Sequence, residues 1–258
     1  MTNSRKKILG IDVDIVSSEE AFSIFEQMME REGFEMIVTP NSEIIENATR
    51  DSELAGLISE ASLIIPDGIG LVYASKILGY DLKERVTGVD FLTKILEYLD
   101  KTGKSIYLLG SKPASGEAQG VAEAAAENMK KNFPNLVIAG THHGYFKAED
   151  EAAIVEEINE SGADLLLVCL GAPKQEKFMW THREELKTAR AGIGVGGSLD
   201  VWAGTVKRAP EFYQKHGLEW LYRFAKQPSR WKRMLRLPVF MLKVVFRVDS
   251  NKDSRNIK

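Results

Sequence analysis

Six times along the chain a short apolar run stops at a glycine or proline and gives way to a polar stretch with helical spacing. The runs are FEMIVTP, LIIPDG, SIYLLG, LVIAG, LLLVCLG and GIGVGG. Within Ala163–Leu170, ADLLLVCL, only Asp164 is polar. A strand with one wet face alternates polar and apolar, whereas one apolar throughout is covered on both faces. Such strands separated by helices predict a three-layer, Rossmann-like α/β body with a mostly parallel sheet. The 258 residues suffice for one such body and an appendage.

In open parallel sheets, ligands gather beyond the carboxyl ends of the strands. The residues at those ends are therefore the candidates for chemistry. In IIPDGIGLVYAS, Asp67 follows a buried strand and a Pro66 break, beside two glycines that leave backbone uncovered. Asp67 is the candidate general base, and the alternative is a helix N-cap, a common role for Asp. Thr39 and Asn41 end the FEMIVTP strand on the same face, with groups suited to sugar hydroxyls and amides. Alternatively, one of them caps a helix over Asn41–Arg50. Gly110 ends KSIYLLG and is followed by Ser111-Lys112-Pro113 and an Ala-rich helix reaching about Asn132. Free amides at such a helix start favour an anion, although neither G-x-G-x-x-G nor G-x-x-x-x-G-K-[ST] is present. Gly196 and Gly197 allow close backbone approach, and Asp200 beyond them can accept from ribose hydroxyls. Arg85, in the polar loop Tyr80–Arg85, either reaches an anionic ligand or is a solvated surface arginine. Tyr145 either stacks on a base or covers the core.

No metal site is expected. Asp12-Val13-Asp14 has the D-x-D form that holds a metal–nucleotide complex in many glycosyltransferases. Three residues match by chance, however, and these two flank an inward valine on what reads as an exposed edge. His142 and His143 are adjacent and project to opposite sides of an extended chain. The single cysteine, Cys169, rules out an internal disulfide and reads as a buried core residue. That usage fits a reducing, cytoplasmic setting. The N-terminus lacks a signal-length apolar segment, and no run approaches the roughly 18 apolar residues of a membrane span.

The net charge of −3 hides a division. Lys207–Arg247 holds eleven basic residues against Glu211 and Glu219, or +9, while the first 206 residues carry −13. That basic segment interleaves arginines with Trp220, Tyr222, Phe224, Trp231, Phe240 and Phe246, and Pro228 and Pro238 are expected to cut it into short helices. Basic residues over aromatic and aliphatic faces fit an anionic membrane surface better than nucleic acid. Residues 1–206 therefore read as a catalytic body, 207–247 as a helical docking appendage, and 248–258 as a polar, disordered tail.

Several long motifs occur together and in order: TPNSEII, PDGIG, Arg85-Val86 to Gly88-Val89-Asp90, YLLG, GTHHGYF, LGAPKQEKF and GVGGSLDVWAGTVKRAP, then GLEWLYRFAKQPSRWKRM. Over about Ile8–Arg247 the chain resembles the bacterial TagA/WecG/CpsF glycosyltransferases, in particular their teichoic acid members. The resemblance implies metal-independent, cofactor-free transfer of N-acetylmannosamine from its UDP donor (UDP-ManNAc) to the 4-hydroxyl of GlcNAc-diphospho-undecaprenol, with inversion. It implies Asp67 as base. Thr39, Asn41, Arg85 and Gln175, with Gly110 and Gly197, would line the sugar and diphosphate pocket, and Tyr145 and Asp200 would hold uridine. Arg223, Arg230 and Arg233 would fold over the pocket onto the diphosphates. A monomer or weak homo-oligomer, peripheral on the inner face of the cell membrane, is expected.

Overall fold

The computed structural model describes residues 4–80, 82–226 and 236–246. A hairpin of β1 (Arg5–Ile8) and β2 (Ile11–Asp14) precedes the main sheet. It is held on by Asp14, which is fully buried, pairs with Arg5 at 2.9 Å and accepts from the Ile64 amide at 2.8 Å. Asp12 accepts from Ser59 Oγ at 2.8 Å and faces Lys7 at 3.3 Å. The expectation that this pair flanks a valine on an exposed edge is corrected for Asp14. Its carboxylate is an interior strut, because a buried carboxylate persists only where a cation and amides satisfy it.

The main sheet comprises β3 (Glu35–Val38), β4 (Leu63–Ile64), β5 (Ser105–Gly110), β6 (Val137–His142), β7 (Leu165–Cys169) and β8 (Ala191–Gly194). Its order is β4-β3-β8-β7-β5-β6, and every pairing is parallel. All six carboxyl ends therefore open on one side. Neighbouring strand residues separate onto two cores, as a period of two requires. Met36, Val38, Ile64, Leu166 and Val168 belong to one core, and Ile37, Leu63, Ile65, Leu165, Leu167 and Ile193 to the other.

The second core is covered by α1 (Ser18–Met29), α5 (Gly88–Thr102), α6 (Val121–Asn132) and α9 (Ser198–Trp202). The α1 start is fixed by a capping box between Ser17 and Glu20. The first core is covered by α2 (Ser42–Ala48), α3 (Ser52–Ser59), α4 (Ile69–Leu78), α7 (Glu151–Glu160) and α8 (Lys174–Thr181).

Beyond α9 come α10 (Glu211–Lys215), α11 (Glu219–Lys226) and α12 (Arg236–Val245). Pro238, expected to cut the segment into short helices, falls near the start of one. It sits in the first turn of α12, where its missing N–H has no intrahelical acceptor to lose. Phe240 and Val244 of α12 are fully buried in the first core, against α2 and α4. Pro228 and the expected polar tail at 248–258 lie outside the described residues. A second correction concerns the stretch after Gly110. The Ala-rich helix starts only at Val121, because Ser115 and Ala118 close a tight turn with Gly116 at φ +59°. The anion-favouring helix start expected directly behind Gly110 is thus displaced.

Candidate active site

The strand ends enclose a cleft of about 640 Å³, within the usual range for small-molecule sites. Its walls come from the loops after all six strands and from the start of the basic segment. Thr39, Asn41, Asp67, Arg85, Tyr145, Gln175, Gly197 and Asp200 all line it. Separate strand-end loops therefore converge on one volume, as the parallel sheet requires.

Asp67 stands two residues past Ile65, where the chain leaves β4. Its amide donates to the Pro40 carbonyl at 2.9 Å, tying this loop to the one after β3. The α4 N-cap is Gly68, at φ +95°, which has no side chain to bond the first amides of the helix. Asp67 is therefore not the cap, and the alternative role is not used. Only glycine adopts that backbone readily. Gly88 leaves room opposite. A Cβ there would lie 3.7 Å from Asp67 Oδ2 and 3.8 Å from Thr39 Oγ1, so the carboxylate and hydroxyl face the same bare backbone.

Thr39 is buried, and its hydroxyl donates to the Gly194 carbonyl at 2.7 Å. It keeps only acceptor capacity for a ligand. Asn41 is the cap of α2, its Oδ1 accepting from the Glu43 and Ile44 amides at 2.9 and 3.0 Å. Capping and cleft lining thus coexist in one residue. Gln175 is 2% exposed, receives the Gly196 amide on Oε1 at 3.2 Å and donates Nε2 to Glu176 at 2.9 Å. It fits because Gly194 has no side chain; a Cβ there would lie 2.7 Å from Gln175 Nε2. Burial pushes the Glu176 carboxyl above its ordinary range, against the opposing Gln175 hydrogen bond.

Tyr145 is 65% exposed at the cleft edge. Asp200 lies in the first turn of α9 behind Gly197, and Ser111 Oγ reaches its Oδ2 at 3.4 Å. Gly110 does not line the cleft with these residues. It backs the wall, packed so closely on the Cys169 backbone that a Cβ would come within 2.5 Å of the Cys169 carbonyl oxygen. The lining residue at that strand end is Ser111, a non-glycine at φ +61°.

Arg85 is not a freely solvated surface arginine: it is partly buried and tied to its neighbours. Its Nη1 donates to the Gln214 carbonyl at 2.9 Å, and its Nη2 is paired with Glu219. Arg208 holds Asp90 through two nitrogens, at 2.6 and 2.8 Å, and its Nε lies 3.9 Å from Glu219. Burial raises the Asp90 carboxyl, but the Arg208 and Thr87 hydrogen bonds outweigh it and leave the group below its usual value. Arg208 and Glu219 both line the cleft, yet the sequence shows Arg208 only as one basic residue among eleven. Its partner Asp90 lies 118 positions away, so no local pattern marks the pair. Arg223 lies on α11 with its side chain outside the description, and Arg230 and Arg233 lie outside the described residues.

Among the described residues, no three His, Cys, Asp or Glu side chains group closely enough to hold a metal ion.

A model of the glycosyl transferase WecG/TagA/CpsF family matches residues 6–254. The chain is 38% identical over 209 residues to a Bacillus spizizenii protein, covering 81% of this chain and 78% of that one. It is 36% identical over 210 residues to a Bacillus subtilis protein, with the same two shares. It is 36% identical over 241 residues to a Staphylococcus aureus protein, covering 92% and 91%. Each relative is named N-acetylglucosaminyldiphosphoundecaprenol N-acetyl-beta-D-mannosaminyltransferase. With a match running through the cleft loops and into the basic segment, the chain belongs to the WecG/TagA/CpsF family of glycosyltransferases.

Proposed function

We propose that this protein transfers N-acetylmannosamine from UDP-ManNAc to the 4-hydroxyl of GlcNAc-diphospho-undecaprenol, inverting the anomeric centre. The observation that supports it most is Asp67: a carboxylate beside Thr39 in a family-matched cleft, relieved of any capping duty by Gly68. In one displacement the acceptor oxygen bonds to the anomeric carbon and gives its proton to Asp67. The bond from that carbon to the UDP oxygen breaks, and its electron pair leaves on the diphosphate. Charge growing there is met by fixed donors, Arg85 and strand-end amides. Tyr145 and Asp200 both line the cleft, offering a ring on which a base can stack and a carboxylate that can accept from a ribose. Asp12 and Asp14 are engaged elsewhere, in the hairpin, which supports the metal-independent reading.

UDP release tests this reading. Wild-type protein is offered UDP-ManNAc, UDP-glucose and a UDP-uronic acid against one GlcNAc-diphospholipid, with and without chelator. Turnover is expected with UDP-ManNAc alone and unchanged by the chelator. Preference for another donor would keep the reaction class and refute the sugar, while chelator-sensitive turnover restored by divalent ions would refute the mechanism.

No helix among the described residues is long and apolar enough to cross a membrane. We infer peripheral docking on an anionic inner-leaflet surface. Tyr73 and Ile77 of α4 and Val239, Leu242, Val245 and Phe246 at α12 are exposed apolar side chains on two helices packed together. They belong with the +9 segment, whose attraction to anionic lipid is worth about 1 kcal/mol per basic residue near the surface. Co-sedimentation with vesicles is expected only when anionic lipid is present and to fade in high salt. Equal sedimentation with purely zwitterionic vesicles would count against it.

A further inference from the structure

The cleft holds an anion of the protein's own. Glu219, in the first turn of α11, places one carboxylate oxygen on Arg85 Nη2 and the other 3.9 Å from Arg208 Nε. Its side chain is only 13% exposed, and those of Arg85 and Arg208 are 19% and 27% exposed. Both arginines keep a buried Nε–H with no hydrogen-bond partner among the described residues. Buried donors are nearly always satisfied in native proteins, so two unused ones in a single ligand cleft indicate groups built for a further acceptor. Carboxylate and phosphate oxygens present the same partners to a guanidinium. One carboxylate serves two arginines incompletely, whereas a diphosphate carries enough oxygens for both.

We propose that Glu219 is an internal stand-in for the donor's diphosphate on a two-arginine subsite formed by Arg85 and Arg208, and that the nucleotide must displace it to bind. The identity of the incoming anion rests on the UDP-sugar reading above; the subsite itself rests on the geometry. Arg208 is fixed for this task by its two-nitrogen grip on Asp90 in the first turn of α5. That grip leaves Nε as the part of the guanidinium directed to other partners. Displacement also unties the start of α11 from Arg85, the one described side-chain link between the α11 start and the loop before α5. Donor binding is thereby coupled to release of the helix that carries Arg223.

Two ligands that cannot and can use the subsite separate the effects: uridine and UDP, titrated calorimetrically into wild type, Glu219→Gln and Arg208→Lys, with melting curves for each. Glu219→Gln removes the competing charge. It is expected to bind UDP about tenfold tighter, within the usual size of a coupling between two binding events, while melting lower and binding uridine as wild type does. Arg208→Lys keeps a cation for Asp90 but loses the guanidinium Nε. It is expected to bind UDP about tenfold more weakly with uridine unchanged. UDP binding that Glu219→Gln leaves equal or weakens would make Glu219 a structural pin and overturn the proposal. Should that variant melt below the assay temperature, Arg208→Lys decides, and unchanged UDP affinity overturns it. Wild type that binds neither ligand would instead defeat the nucleotide reading together with this one.

Discussion

Replacing Asp67 by Asn is expected to lower the rate of transfer to lipid acceptor by about 10²–10⁴-fold, the usual contribution of a general base. Asn retains the volume and the backbone link to Pro40, whose carbonyl accepts the residue 67 amide rather than any side chain. It also removes no cap, since Gly68 holds that position without a side-chain bond. The expected loss is chemical: an amide has no lone pair basic enough to take the proton of a sugar hydroxyl as the new bond forms. Steady-state UDP release with the GlcNAc-diphospholipid measures it. A variant within threefold of wild type would remove Asp67 from the mechanism, a threshold well below the range that general-base catalysis contributes.

The second large effect is on stability. Phe240→Ala is expected to cost about 3–5 kcal/mol, the usual range for emptying a buried aromatic site. Phe240 is fully buried in the first core, together with Val244, against α2 and α4. Polar links surround it. Lys243 pairs with the buried Glu46 at 2.9 Å, and Arg236 with Glu43 at 3.5 Å. Leu237 approaches so closely that a Cβ on Gly70 would lie 2.7 Å from its Cδ1, and it lines the cleft as well. The α12 helix is thus part of the cleft wall, and loosening it reaches the site. Urea unfolding of the full chain checks the figure. A loss under about 1 kcal/mol, far short of a filled core position, would mean that α12 does not hold this packing in solution.

The parallel body was legible because covered strands must be apolar on both faces, and Leu165–Cys169 is a run of that kind. The candidate residues were legible for the same reason: with all strands parallel, Thr39, Asp67, Gln175 and Asp200 fall at one end of the sheet whatever the details between. What stayed hidden depended on backbone angles and distant partners. The Asp67 cap alternative could be settled only by Gly68 at φ +95°. The late start of α6 depended on the Ser115–Ala118 turn, which the helix-favouring alanines that follow conceal. Arg208 pairs with Asp90 across 118 positions and Arg85 with Glu219 across 134, so neither pair leaves a trace in local spacing. The core role of Phe240 was masked by the basic residues around it, which made the segment read as a membrane-docking surface.

The central claim is that Asp67 acts on the acceptor's proton and not on the nucleotide. Calorimetric titration of UDP into Asp67→Asn and wild type, in the buffer of the rate assay, measures this directly. An unchanged UDP dissociation constant beside a transfer rate at least 10²-fold lower is the predicted result. A loss of UDP affinity as large as the loss of rate would contradict it, because the carboxylate would then be holding the site together.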